Sequence, residues 1–351
     1  MAALGVTAVM VVIECMEVGV STIMKAAMTR GMSQFVYIVY SNALALVILL
    51  SSSFIFYRKR PLPQLTVSIL LRIFLMGVIS FSLQMFLNTG IRYSSPTMSS
   101  AMTDLTPAFT FLLALISRME KLDMRLQGSQ AKSVGTMLSV AGALTVTLYK
   151  GQPITGVPSQ NSSIDESLQV LPSNWVIGGI LCAAGALGIS LVYVIQTWIL
   201  KDYPSELMIT VICCLYVTVL SVPVSLIAEK DPNAWILKPD VELIAIGCSA
   251  IFAVSLRSVV HAWVCGKKGP LYTAMFKPLG MIIATFLGVS FLGDTLYLGS
   301  VIGGIIIALG FYTVIWGKAQ EEEKMVEEKG NSNFASCSTK APLLQNRSVD
   351  V

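Results

Sequence analysis

The stretch that decides the fold lies between Ser95 and Gly151 and reads SPTMSSAMTDLTPAFTFLLALISRME, then, after a short charged segment, SVGTMLSVAGALTVTLYKG. A degenerate copy follows later in the chain, as GPLYTAMFKPLGMIIATFLGVSFLGD and LGSVIGGIIIALGFYTVIWGK. Each copy opens on a small residue and a proline, carries another proline inside an apolar run (Pro107 and Pro278), and closes on a glycine pair. This internal repeat predicts an architecture of two related halves.

The composition indicates that lipid solvates most of the chain. Hydrophobic residues make up 54% of the sequence and charged residues 13%, with a mean hydropathy of +0.73, whereas about a quarter of the residues of a soluble domain are charged. Apolar runs of about the length that crosses a bilayer follow one another without strand-like alternation, so helices are the structure that satisfies their backbone in lipid. We predict an all-α integral membrane protein with ten transmembrane helices, at residues 2–24, 35–57, 67–88, 99–117, 133–148, 175–200, 207–228, 241–264, 271–292 and 296–316.

The repeat also predicts how the two halves insert. Five spans in each half is an odd number, so the second half enters the membrane from the opposite face. Inverted repeats of this kind are typical of secondary transporters, whose binding site lies near the membrane midplane where the halves meet. We expect a first repeat over 1–151, an extracytoplasmic connecting loop over 152–173, a second repeat over 174–318 and a disordered cytoplasmic tail over 319–351.

Basic residues in the connections favour a cytoplasmic N-terminus. With that orientation, ten Lys and Arg residues fall in cytoplasmic connections and six in outside ones. The glycosylation sequon at Asn161 then lies in an outside loop, as glycosylation requires. The net charge of +4 is spread over short connections and forms no basic stripe, which disfavours nucleic acid as a partner.

Charged side chains inside the apolar runs are the first candidates for a functional site, because ionised groups at membrane depth usually face the bundle interior or a wet cavity. Glu14 and Glu17 lie three residues apart on one helix face of the first run. Arg257 and His261 lie four apart in the eighth run, and Lys277 lies in the ninth. The set suits a ligand with a carboxylate and an amine, or a proton-coupled anion. The alternative is that these acids and cations only hold helices together.

Two prolines and several polar side chains extend the candidate site. Pro107 and Pro278 lack an amide hydrogen and free the carbonyls of Thr103 and Ala274, which in lipid need another partner or a wet cavity. Their matching positions in the two halves are expected around a central site, although a packing kink is the alternative. The further candidates are polar residues in other spans, of which isolated amides more often connect helices: Asn42, Gln84, Asn88, Asp104 and Gln196.

The glycines of the fifth and tenth spans predict close helix packing, either within the bundle or in a homodimer. They are Gly135, Gly142, Gly303, Gly304 and Gly310. The sequence contains no nucleotide-binding loop, metal-ligand cluster or nucleophile–base pair. We therefore predict no cofactor, no metal ion and no enzymatic activity.

The chain resembles plant transporters of the drug/metabolite superfamily of the EamA type, and among them the Walls-Are-Thin-related, nodulin-21-like group also called UmamiT proteins. The stretches that carry the resemblance are YSSPTMSSAMTDLTPAFTFLLALISRMEKLD, GTMLSVAGALTVTLYKG, KGPLYTAMFKPLGMII and FLGDTLYLGSVIGGIIIALGFYTVIWGKAQEEE, with ECMEVG and KAAMTRGMS near the N-terminus. Asp104 is a departure from the group, which typically has asparagine there.

The resemblance implies two inverted EamA repeats, a plasma-membrane or vacuolar location, and movement of amino acids, with auxin or other organic anions in some relatives. The expected function is therefore a secondary transporter of small organic solutes, foremost amino acids, that works by alternating access. From the residues we expect Lys277 or Arg257 to meet a substrate carboxylate, and Glu14 to meet an amine or take a proton. A non-transporting receptor or scaffold and a passive channel are the alternatives.

Overall fold

The computed structural model describes residues 2–58, 64–93, 102–119, 127–149, 152–155, 174–237, 240–287 and 296–338. These residues are almost entirely helical, which confirms the prediction of an all-α membrane protein. The helices of the N-terminal part are α1 (Ala2–Thr29), α2 (Gln34–Tyr57), α3 (Val67–Tyr93), α4 (Thr106–Ile116) and α5 (Gln127–Leu148). Those of the C-terminal part are α6 (Asn174–Asp202), α7 (Glu206–Ala228), α8 (Val241–Cys248), α9 (Arg257–Lys268), α10 (Pro270–Ala274), α11 (Phe276–Leu287) and α12 (Leu298–Ser338).

Seven helices of the described chain are long and apolar enough to cross a membrane. The helices α4, α5 and the pair α10–α11 fall in the predicted fourth, fifth and ninth runs and are not among the seven. The spans are Gly5–Met28, Gln34–Tyr57, Val67–Leu87, Ile177–Asp202, Glu206–Ala228, Val241–Lys268 and Leu298–Gln320.

Two short strands connect the ends of distant segments. Strand β1 (Pro153–Thr155) follows α5 and pairs antiparallel with β2 (Leu296–Tyr297), which directly precedes α12. This pairing ties the start of the long connection after α5 to the start of the last helix.

The last helix is longer than its apolar run. Helix α12 continues through Ser338, whereas the sequence predicts a helix end near Trp316 and disorder from Ala319. The added segment begins AQEEEKMVEEK, and Ala, Glu, Met and Lys all have high intrinsic helix propensity, so the helix continues after the hydrophobic pattern stops. The rest of the predicted tail, 339–351, lies outside the described residues.

The prolines of the fourth and ninth spans stand at helix starts. A turn at Asp104–Leu105 precedes α4, and Pro107 occupies the first helical turn, where a missing amide hydrogen leaves no bond unmade. The span 270–287 is similarly interrupted at Met275, between α10 and α11, and Pro278 is the third residue of α11. Both prolines therefore lie close after a helix interruption and not in the middle of a continuous helix. The carbonyl of Thr103 instead accepts a hydrogen bond from its neighbour's hydroxyl, Thr106 Oγ1, at 2.5 Å.

Close packing of α5 on α12 depends on glycine. A Cβ added to Gly142 would lie 2.8 Å from the backbone nitrogen of Ile307 and 2.9 Å from the carbonyl oxygen of Gly303. A Cβ on Gly310 would lie 2.7 Å from the carbonyl oxygen of Gly135. These glycines therefore bring two helices of one chain together. At Gly304, in contrast, an added Cβ meets nothing within 4 Å.

We predict that Gly142→Ala lowers the unfolding temperature of the detergent-solubilised protein, because the new methyl group meets backbone atoms that cannot rotate away; overpacking of this kind costs about 1–3 kcal/mol. Gly304→Ala on the facing helix is the matched control, and there the open space and the higher helix propensity of alanine predict unchanged or slightly higher stability. Equal melting temperatures for the two variants would contradict the proposed packing role.

Candidate functional site

A cavity of about 370 Å³ lies among helices from both parts of the chain. Its lining residues fall in the middle of the long helices α1, α3 and α6 and of the span Val241–Lys268, with further contributions from α2, α7 and α11. The apolar part of the wall consists of Met76, Leu83, Leu87, Ile189, Val192, Val217 and Val254. The polar and sulfur-containing part consists of Glu17, Asn42, Ser80, Gln84, Thr103, Tyr193, Gln196, Thr210, Cys213, Cys214, Arg257, Ser258, His261 and Lys277.

One carboxylate in this wall is shared by two cations. Glu17 accepts a hydrogen bond from Arg257 Nη1 at 2.7 Å through Oε1, and another from Lys277 Nζ at 2.9 Å through Oε2. The Nε of Arg257 donates to the carbonyl oxygen of Ala253 at 2.9 Å. The pairs join α1 to α9 and α11, so the network crosses between the two parts of the chain.

A second carboxyl group lies behind the cavity wall. Glu14 is 2% exposed, and its Oε1 lies 3.7 Å from Lys277 Nζ and 3.9 Å from His261 Nε2, beyond hydrogen-bond distance from both. A Cβ on Gly280 would lie 3.0 Å from Glu14 Oε2, so the absence of a side chain there leaves room for the carboxyl group. Glu14 is thus an enclosed neighbour of the network and is not a lining residue.

His261 is held by an aromatic neighbour. Its Nδ1 lies 3.3 Å from the hydroxyl of Tyr193, the two rings are in an edge-to-face arrangement, and the histidine is 5% exposed. Its Nε2 is buried without a hydrogen-bond partner among the described residues and points toward Glu14. A small shift of either side chain would close this gap.

A π-helical segment, Ser249–Leu256, directly precedes Arg257. Ser255 Oγ donates to the carbonyl oxygen of Ala250 at 2.7 Å, and Ser249 Oγ accepts from the hydroxyl of Tyr37 on α2 at 2.6 Å. Because a π-helix has more residues per turn than an α-helix, the segment sets the angle at which α9 presents its side chains. π-helical turns of this kind are frequent at functional sites.

The structure brings together seven of the candidate residues from the sequence at the cavity wall: Glu17, Asn42, Gln84, Gln196, Arg257, His261 and Lys277. Four others are buried near it without lining it: Glu14, Asp104, Pro107 and Pro278. Asn88 lies on α3, but its side chain is outside the described part of the structure, and Asn161 lies outside the described residues altogether.

Sequence reasoning predicted Asn42 on α2 but missed the contribution of α7, whose lining residues are uncharged. Thr210 and Asn42 bond to carbonyls of their own helices, to Glu206 at 2.8 Å and to Ile38 at 2.8 Å respectively. Such local bonds let a polar residue occur in an apolar run for reasons unrelated to a ligand. Tyr193, also missed, had no signal beyond being an aromatic residue in an apolar run.

Comparison with known proteins assigns the family. The profile of the EamA-like transporter family matches residues 5–148. The WAT1-related protein At3g28050 of Arabidopsis thaliana is 42% identical over 99% of this chain and 96% of its own length. A second one, At5g40240, is 43% identical over 90% of this chain and 87% of its own length. The chain belongs to the WAT1-related family.

A solved crystal structure of another protein shares the fold of this WAT1-related chain. It superposes with a TM-score of 0.67 at 14% identity, covering 90% of this chain and 99% of its own. Family membership and the apolar helices together make the protein a multi-pass membrane transporter. The cavity among its helices is therefore the candidate transport site of this WAT1-related protein.

We expect Glu17→Gln to destabilise the folded protein by about 1–3 kcal/mol, since it leaves two cations without their shared carboxylate. The effect is smaller than for a fully enclosed pair, because the side chains of Glu17 and Arg257 are 26% and 33% exposed. Thermal unfolding in detergent measures it, and the double variant Glu17→Gln/Lys277→Met should recover part of the loss. Strictly additive effects of the two substitutions would show that these side chains are not coupled.

Proposed function

We propose that this protein is a secondary transporter that moves small organic solutes, foremost amino acids, by alternating access between two inverted five-helix repeats. The observation that carries the proposal is the cavity between the two parts of the chain, where Glu17 is shared by Arg257 and Lys277. A transport site of this type is expected near the midplane, where paired repeats meet.

The helix contacts support the inverted repeat. A twofold axis in the membrane plane would exchange the first span with the sixth, the second with the seventh, and so on to the fifth and tenth. The contacts of α3 with α6 then correspond to those of α1 with the span Val241–Lys268, and the contacts of α4 with α6 correspond to those of α1 with α11. In the contacting pairs α2–α7 and α5–α12, the axis exchanges the two helices of each pair with each other. The helix interruptions before Pro107 and Pro278 also fall in exchanged spans.

The charges favour a ligand with both a carboxylate and an amine. Arg257 and Lys277 share one lining carboxylate, so the cavity wall has a surplus of positive charge, while the carboxylate of Glu14 lies enclosed behind it. The Nη2 of Arg257 makes no hydrogen bond within the described chain and is suited to a substrate carboxylate. An ammonium group can replace Lys277 at Glu17, and the zwitterion of an amino acid supplies both groups.

An organic anion such as auxin is the second candidate ligand. The surplus cation of the wall would attract its carboxylate, and the apolar residues of α3 and α6 would contact its ring. Such a ligand would leave the bond between Lys277 and Glu17 intact. Amino acid and anion transport are therefore distinguished by their dependence on Glu17.

Contacts at both ends of the cavity support alternating access. At one end Arg72 pairs with Asp202, and Tyr57 hydrogen-bonds to Ser205, so the α2–α3 hairpin meets the α6–α7 hairpin. At the other end the α1–α2 hairpin meets the α7–α8 hairpin through Arg30 and Asp240 at 2.8 Å, and through Ser33 and Glu229 at 2.6 Å. The proposed twofold axis exchanges these two closures, which makes them candidates for gates that open in turn.

The positive-inside bias places the Arg72 closure on the cytoplasmic side of the proposed carrier. We propose the plasma membrane as its location, with the vacuolar membrane as the alternative, on the resemblance alone.

We predict that Arg257→Gln lowers uptake of labelled amino acids into proteoliposomes at least tenfold, since a hydrogen bond to a charged group contributes about 1.5–3 kcal/mol. Arg58→Gln makes the same chemical change at the exposed end of α2 and should leave uptake unchanged. Labelled amino acids and labelled auxin are tested separately, each with the same compound in unlabelled form on the opposite side of the membrane. Stimulated exchange identifies a carrier, passive equilibration a channel, and no flux of any probe a receptor or scaffold.

We also predict that linking either closure stops transport. In the double variant Arg30→Cys/Asp240→Cys, a short bifunctional thiol reagent should form a cross-link and abolish uptake. The cross-link is chosen so that a reductant cleaves it, and cleavage should restore uptake. The pair Arg72→Cys/Asp202→Cys should behave in the same way at the other end. The single-cysteine variants treated with the reagent are the controls. Full uptake after complete linking at either end would exclude alternating access through these hairpins.

A further inference from the structure

Asp104 is an enclosed carboxyl group that the proposed substrate contacts do not use. It lies at the helix interruption just before α4, is 4% exposed, and has no hydrogen-bond partner for its Oδ2 in the described part of the chain. Thr103, the preceding residue, lines the cavity, whereas Asp104 does not. The carboxyl group is therefore one residue away from the cavity but shielded from it.

The neighbouring helices offer Asp104 little to stabilise a negative charge. Lys277 of α11 lines the same cavity as Thr103, so its positive charge can act on the adjacent Asp104, and that lysine already donates to Glu17. The ionisable group of α6 near the cavity is Tyr193, which pairs with His261. On α10 the hydroxyl of Tyr272 bonds to Thr7 of α1.

Two further polar side chains belong to the helices around α4. The methylene chain of Lys132 on α5 lies against Gly317 of α12. Ser190 Oγ of α6 donates to the carbonyl oxygen of Thr106. An ionised carboxylate with an unpaired, enclosed oxygen is strongly disfavoured in apolar surroundings, and such a group takes up a proton instead. A metal ion is a poor alternative, since no group of three ligating side chains occurs in the described residues.

Asp104 differs in this respect from Glu14, the other enclosed acid. The Oε1 of Glu14 has the ammonium group of Lys277 at 3.7 Å and the ring of His261 at 3.9 Å, so nearby groups can offset its charge. Asp104 also lies at a helix interruption, and α4 packs against α10, which ends at the matching interruption of the ninth span. Small movements of the two spans can therefore change the separation of Asp104 from Lys277.

We propose that Asp104 is a proton-binding site whose protonation determines how firmly Lys277 holds Glu17, so that proton binding is coupled to substrate binding. This inference rests on the proposed carrier function. When the carboxylate gives up its proton to water, its negative charge attracts Lys277, and Glu17 is released to bind the substrate's amine. When a proton from water binds to the carboxylate, the attraction ends and Lys277 returns to Glu17.

Infrared difference spectra between acidic and alkaline buffer test the site without a substrate. The wild-type protein in lipid nanodiscs should show the carbonyl stretch of an enclosed carboxylic acid. Asp104→Asn should lose this band, and Asp104→Glu should keep it at a shifted frequency. Asp231→Asn, which changes an exposed carboxylate that accepts a bond from Asn233, should leave it unchanged. A carbonyl-stretch spectrum of Asp104→Asn that is identical to that of the wild type overturns the proposal.

Uptake of a labelled amino acid mixture into proteoliposomes tests the coupling. An imposed pH gradient should change wild-type uptake, and Asp104→Asn should lose this response while retaining exchange at equal pH. Asp104→Glu should restore at least part of it. A gradient response that persists in Asp104→Asn overturns the coupling, whereas the carrier function would stand. An infrared band that behaves as expected in a protein that moves no probe would support the proton site and refute the carrier function.

Discussion

The structure depends on one electrostatic constraint: ionised side chains within a bundle of apolar helices must neutralise one another. Glu17 bonds two cations at once, at 2.7 Å from Arg257 and 2.9 Å from Lys277, and Glu14 lies 3.7 Å from the lysine. A partner removed from such a network leaves an uncompensated charge, which is far less favourable than the intact pair. The network therefore fixes α1 against α9 and α11 at the level of the cavity, and the same side chains form its most polar wall.

Other helix pairs are held together by a different interaction, close packing at glycine. Glycines let α5 approach α12 closely, and Gly185 and Gly188 let α6 approach Leu87 and Leu83 of α3. Lipid provides little hydrophobic drive between helices, so close packing of this kind is what holds such pairs together. Irregular backbone is concentrated near the cavity, at the interruptions before α4 and α11 and in the π-helical segment. The bundle thus combines tightly packed pairs with a centre where helix geometry is locally broken.

The sequence predicted what depends on local composition. The apolar runs, the enclosed charges and the close-packing glycines can all be recognised because each is a departure from an otherwise uniform hydrophobic pattern. It did not predict that Glu17 would line the cavity while Glu14, on the same helix face, lies behind it, because that depends on the angle at which α9 and α11 pack on α1. The π-helical segment has no distinctive composition. The sequence also left the role of the two prolines open, because a proline is compatible with both a kink and a helix start, and only the backbone distinguishes them.

The charges near the cavity are distributed unequally between the two parts of the chain. The acids Glu14, Glu17 and Asp104 precede the long connection, and the cations Arg257 and Lys277 follow it. If the two parts move against each other during transport, opposite charges must separate in surroundings of low dielectric constant, where their attraction is strong. Separation becomes favourable only when another charge takes the place of the lost partner. A zwitterion between Arg257 and Glu17 does so for both groups, and a proton on Asp104 removes one of the charges to be separated. In the proposed carrier, the same unequal distribution thus gives the two parts a physical reason to move only when a ligand or a proton is bound.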